Sequence, residues 1–168
     1  MNAFDDPVDF CREVDEAKSC IIQRVIFWPK RWNVFNPPKD IIWKWKSVPF
    51  SCTNETKVPN DKHGLYSFVI CPQIAKHPHY NLVLYIGKAE DMTLRARFKS
   101  YFQDMKRVKR PPICYHLNKY SGFINFCFTP VSNRDDIKQG EDSLLSAFLP
   151  PCNTDFPAEV SEIIRGIK

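Results

Sequence analysis

The sequence predicts an α/β (α+β) fold, a small, mainly antiparallel three-stranded sheet flanked by helices. Three observations predict it. Three short runs rich in β-branched and aromatic residues, at 64–70, 81–86 and 123–129, have strand length and are bounded by glycine, proline or asparagine. Segments with apolar residues at helical spacing follow the second and third runs. Finally, 43% apolar and 26% charged residues in a chain of 168 supply one core of ordinary size and argue against disorder throughout.

At the N-terminus, Asp6 reads as an N-cap with Pro7 at the first helical position. Phe10, Val14, Ala17, Ile21 and Val25 then follow at helical spacing, predicting an amphipathic helix of about four or five turns. From Phe27 to Lys62 the chain reads as an irregular arm, broken by Pro29, Pro37, Pro38, Pro49 and Pro59 and holding all four tryptophans, Trp28, Trp32, Trp43 and Trp45. One strand is expected there, Ile41 to Lys46, with Ile41, Trp43 and Trp45 on one face and Ile42, Lys44 and Lys46 on the other. Tryptophans interleaved with lysine and arginine suit base stacking beside cations. Packing is the favoured reading, because each indole has a large area to bury.

The strands at 64–70 and 81–86 are joined by Cys71 to Tyr80, a hairpin with an extended loop. Cys71, His77 and His79 on that loop lack a fourth ligand in obvious spacing, so an ordinary loop is expected rather than a metal site. The second strand is expected to end at Gly87, and Asp91 reads as the N-cap of a basic helix whose apolar stripe is Leu94, Phe98, Tyr101, Phe102 and Met105. Pro111 and Pro112 are expected to stop it, with a short second helix over 113–120.

Gly122 opens the third strand, which is apolar on both faces and therefore central or covered. Ser132 with Asp135 resembles a capping box, starting a helix whose apolar stripe is Ile137, Leu144, Leu145 and Phe148 and which ends before Pro150 and Pro151. Phe156-Pro157 leads into a last amphipathic helix carrying Val160, Ile163, Ile164 and Ile167. The expected organisation is an N-terminal helix and Trp/Pro-rich arm over 1–61, followed by the main domain with its C-terminal helix over 62–168.

The net charge of +5 is unevenly placed. Arg95, Arg97, Lys99, Lys106, Arg107, Lys109 and Arg110 stand against Asp104 alone, so this stretch carries +6 and the rest of the chain −1. Concentrated charge of that kind suits a polyphosphate partner, although a solvated helix face would carry it too. Seven cysteines, odd in number and without a Cys-x-x-Cys pair, argue against a disulfide framework and a zinc ribbon. No apolar run approaches the ~20 residues that span a membrane, and the first residues lack the form of a signal peptide, so a cytoplasmic location is expected.

Glu141 falls four residues after Ile137 and three before Leu144, inside the apolar stripe of its helix. A carboxylate pointing into a core needs a cation, a metal or donors, unless the helix bends at Gly140 and releases it to solvent. Both readings stay open on the residues alone.

Gly64-Leu65-Tyr66 followed by Tyr85-Ile86-Gly87 resembles the GIY-YIG nuclease superfamily. Tyr85-Ile86-Gly87-Lys88-Ala89 followed by Leu94 to Phe102 is most similar to the excision-repair 3′-incision branch, with two residues added before the helix. The arm is outside the resemblance.

By that resemblance Glu141 would hold one divalent ion, Mg²⁺ or Mn²⁺, and Asn153, twelve residues later, matches the branch's Asn. Tyr66 would be the general base and Tyr85 would orient water or phosphate, with Lys88 as a second cation. Helical phase does not separate Arg95 from Arg97 as the catalytic arginine. The family places His or Tyr four residues after that arginine, which favours Arg97 followed by Tyr101. Arg95, Lys99, Lys106, Arg107, Lys109 and Arg110 would then contact nucleic acid.

The expectation is a metal-dependent DNA endonuclease, in restriction, phage defence or a mobile element. Symmetric cutting would need a homodimer or two binding events. The alternatives are a non-catalytic nucleic-acid-binding module on the same fold and an RNA-cleaving toxin.

Overall fold

The computed structural model describes residues 12, 14–18, 25–72, 74, 81–107 and 109–166. Most of the expected N-terminal helix lies outside them, as do His77 and His79; residues 14–18 are described and helical. In chain order follow α1 (Pro29–Asn33), β1 (Lys46–Pro49), a 3-10 helix (Cys52–Lys57), β2 (Gly64–Ile70) and β3 (Leu82–Ala89). Then come α2 (Leu94–Lys106), α3 (Pro111–Lys119), β4 (Ile124–Pro130), α4 (Arg134–Phe148) and α5 (Ala158–Gly166).

The class is α+β, but the sheet has four antiparallel strands rather than three, in the order β1-β4-β2-β3. The extra strand comes from the arm and begins where the expected one ends. The register pairs Lys46 with Phe128, so its continuation would set Lys44 opposite Pro130, which has no amide hydrogen to share. The ladder stops there, and the Lys44 amide donates instead to the Thr129 hydroxyl at 3.2 Å. Ile41 still enters the core, while Ile42 faces solvent.

With β2 between β3 and β4, its alternate residues feed two cores. Tyr66 and Phe68 pack with Phe126 under Leu94, Phe98 and Tyr101 of α2 and Ile113 and Leu117 of α3. Leu65 packs with Ile86 against Ile137, Leu144 and Leu145 of α4 and Ile41 of the arm. Phe148 departs from the expected stripe. As the last residue of α4 it is half exposed, on the rim of a cleft shared with Trp45 and Val83.

β3 does not end at Gly87 but runs on to Ala89, which pairs with Gly64. Gly87 sits opposite Tyr66, and a β-carbon there would lie 2.6 Å from the Tyr66 phenol oxygen and 2.8 Å from Cε1 of Tyr85. The glycine therefore marks a close approach within the strand, not its end. Gly140 does the same for α4: a β-carbon would lie 2.7 Å from Cδ1 of Leu65 and 2.8 Å from Cδ1 of Ile41. The helix backbone comes down onto the sheet just before Glu141.

The helix ends also differ from expectation. Thr93, not Asp91, caps α2, its hydroxyl accepting from the Ala96 amide at 3.2 Å. α2 finishes at Lys106, and Pro111 and Pro112 open α3, where a missing amide hydrogen costs nothing. Asn133, not Ser132, caps α4 by accepting from the Asp135 amide. The arm packs: Trp32 Nε1 donates to the Ala147 carbonyl at 2.9 Å, Arg31 pairs with Glu159, and Trp43 stacks on Trp45. No helix among the described residues is long and apolar enough to cross a membrane.

Candidate active site

Tyr66 on β2, Tyr85 on β3 and Tyr101 on α2 form a triangle, with ring centroids 6.0 to 6.4 Å apart. The phenol oxygens of Tyr66 and Tyr101 lie 2.9 Å apart, and both side chains are buried. Burial drives both phenols well above their usual range. Tyr85 opposes ionisation of both and Tyr66 that of Tyr101, while Arg97, the hydrogen bond from Tyr101 and Arg110 pull Tyr66 the other way. Tyr85 stays half-buried and opens onto a cleft.

The backbone separates the two arginines that helical phase leaves equivalent. Arg95 turns to the 3-10 helix, where its Nε donates to the Val58 carbonyl at 2.7 Å and its Nη2 to the Thr56 carbonyl at 3.1 Å. It ties α2 to the preceding segment. Arg97 lies within electrostatic range of Tyr66 and Glu141, and its Nε is buried without a hydrogen-bond partner among the described residues. A buried donor of this kind is suited to an anionic oxygen.

Glu141 projects midway along α4, not at a helix start as the resemblance implies, with its side chain 17% exposed. Burial pushes its carboxyl up to about 7, against the pull of Lys88, whose Nζ lies 3.8 Å from Oε2. Lys88 is shared: its nearer partner is Glu90, two residues on, at 2.9 Å, a pair hidden by the expected end of the strand at Gly87. Glu141 lines a cleft of ≈ 280 Å³ with Tyr85, Asp142, Asn153 and Asp155. Among the described residues no three metal-ligating side chains converge, so Glu141 would offer a divalent ion such as Mg²⁺ or Mn²⁺ one carboxylate at this cleft, in its deprotonated form, with waters and substrate oxygens to complete the shell.

Asn153 has a role visible in the hydrogen bonds. Its Oδ1 accepts from the Ile86 amide at 3.0 Å and its Nδ2 donates to the Ile86 carbonyl at 2.8 Å. With Cys152, whose amide donates to the Leu84 carbonyl at 2.9 Å, it closes the outer edge of β3 as another strand would. This fixes the strand that carries Tyr85 and Lys88.

The basic stretch is divided. Lys106, Arg107 and Lys109 are exposed, and Lys99 pairs with Glu55 at 3.5 Å. Arg110 turns inward, paired with Asp104 and lying over the Tyr101 ring. Charge counting grouped it with its neighbours because no local pattern distinguishes an inward arginine from an outward one. The chain matches no protein-family model, no curated protein and no solved structure.

Proposed function

We propose that this protein is a metal-dependent endonuclease of the GIY-YIG type, hydrolysing DNA phosphodiester bonds. The observation that carries the proposal is the buried Nε of Arg97, without a hydrogen-bond partner among the described residues and within electrostatic range of Tyr66 and Glu141. Its guanidinium takes a phosphate oxygen and stabilises the charge that develops there, with Lys88 as the second cation. Glu141 would hold the divalent ion, which when bound supplies Lewis acidity and a more acidic water. Tyr66, braced by Tyr101, accepts the proton of the attacking water only as its phenolate, a form that Arg97 and Arg110 favour against the burial that otherwise keeps the phenol neutral. Tyr85, at the mouth of the cleft, orients water or phosphate.

One observation favours a second reading, a non-catalytic nucleic-acid-binding module: burial holds both Tyr66 and Tyr101 in the neutral form. A single assay separates the two. Labelled linear, single-stranded and branched DNA and RNA are incubated with the natural chain or Glu141→Ala, in Mg²⁺ or EDTA. The endonuclease reading expects Mg²⁺-dependent DNA cleavage that the folded variant loses. Salt-sensitive binding by both proteins without turnover gives the module, and cleavage of RNA alone gives an RNA-cleaving enzyme.

A further inference from the structure

We propose that Arg110 is a positioning residue for the tyrosine pair: clamped by Asp104, its guanidinium holds the Tyr101 ring so that the Tyr101 hydroxyl stays on Tyr66. Its consequence for turnover rests on the endonuclease reading; its consequence for the tyrosines does not.

Three features of the molecule support this. The guanidinium carbon of Arg110 lies 4.3 Å from the centre of the Tyr101 ring, within the range where a cation is attracted to an aromatic face. Asp104 fixes the guanidinium in an ion pair whose side chains are only 34% and 14% exposed, and the Asp104 carbonyl also accepts the Lys109 amide at 3.0 Å. Arg110 itself has φ 51, in the left-handed region that non-glycine residues enter when their surroundings hold them there. Lys106, Arg107 and Lys109 hold their charges in solvent. Arg110 instead spends its planar cation on an aromatic ring one hydrogen bond away from Tyr66. Its charge favours the ionised form of both phenols, which a distant surface cation would not do.

The test uses the full chain with ¹³Cζ-labelled tyrosine, the resonances of Tyr66 and Tyr101 being assigned with Tyr66→Phe and Tyr101→Phe. Arg110→Gln is expected to move both resonances while leaving Tyr115 in place. On DNA, kcat falls roughly tenfold with KM unchanged, and Arg110→Lys, which keeps charge but not the planar fork, recovers part of the loss. Unmoved tyrosine resonances overturn the proposal. So does a raised KM with unchanged kcat and a shallower salt dependence, the signature of a phosphate contact. Should Arg110→Gln fail to fold, Asp104→Asn, which frees the clamp but keeps the guanidinium, decides by the same two resonances. If the natural chain cuts no nucleic acid, the endonuclease reading fails while the resonances still decide the role of Arg110.

Discussion

The hydroxyl of Tyr66 meets that of Tyr101 at 2.9 Å, inside a core otherwise built of aliphatic, phenylalanine and cysteine side chains. Each phenol satisfies the other, so removing one leaves a buried hydroxyl without its partner. Tyr66→Phe and Tyr101→Phe are each expected to destabilise the fold by about 1 to 2 kcal/mol, and the double variant by less than the sum, in urea unfolding. On the endonuclease reading, in which Tyr66 is the proton acceptor, Tyr66→Phe is expected to lose at least ~100-fold in kcat on DNA.

Arg95 and Arg97 lead to opposite expectations. Arg95→Ala removes two hydrogen bonds to Val58 and Thr56 and is expected to cost about 1 to 3 kcal/mol, with activity per folded molecule kept. Arg97→Ala removes a donor that has no partner among the described residues, so stability is expected to hold or rise, while the endonuclease reading expects cleavage to fall by about 100-fold or more. Thermal unfolding beside single-turnover cleavage reads both.

Glu141 makes stability depend on pH. Its carboxyl titrates near 7 in the folded chain and at the ordinary 4.5 when unfolded, so the folded state keeps the proton longer. Stability is therefore highest below about pH 4.5, falls as pH rises from there to about 7, and is then level as far as this group is concerned. The gap corresponds to about 3 kcal/mol. Glu141→Gln is expected to flatten this slope in urea unfolding between pH 4.5 and 8. At pH 8, Mg²⁺ is expected to raise the unfolding temperature of the natural chain and not of the variant.

Asn153 is expected to act through β3. Asn153→Ala removes both bonds to Ile86 and should cost about 1 to 3 kcal/mol, with faster amide exchange at Ile86. Asn153→Asp keeps the acceptor but loses the donor to the Ile86 carbonyl, so it should fall between Ala and the natural residue.

Gly87→Ala places a methyl group against Tyr66 and Tyr85 and is expected to cost about 1 to 3 kcal/mol in thermal unfolding. Cleavage should fall with it, because both tyrosines must move.

The sequence made the central elements legible because their signals are local. The alternation of β2, the stripe of Leu94, Phe98 and Tyr101 and the apolar run of β4 each report burial directly. β1 was displaced because its end depends on Pro130, which stands opposite only in the folded sheet. The helix starts were shifted because Asp91 and Ser132 are as good caps by residue type as Thr93 and Asn133, and tertiary packing chooses among them. Likewise, Glu141 could be singled out from its phase in α4. The turning of Arg95 to carbonyls and of Arg110 to a ring depends on partners remote in sequence or across a turn, which periodicity does not encode.

The missing side chain at Gly140 works as a spacing device for the carboxylate that follows it. With Leu65 and Ile41 already closer than a methyl group would tolerate, any side chain at 140 acts as a shim that lifts α4 off the sheet and carries Glu141 away from Lys88. The depth of the acidic group, and with it the reach of any ion it holds, is thus tuned by a residue that touches neither.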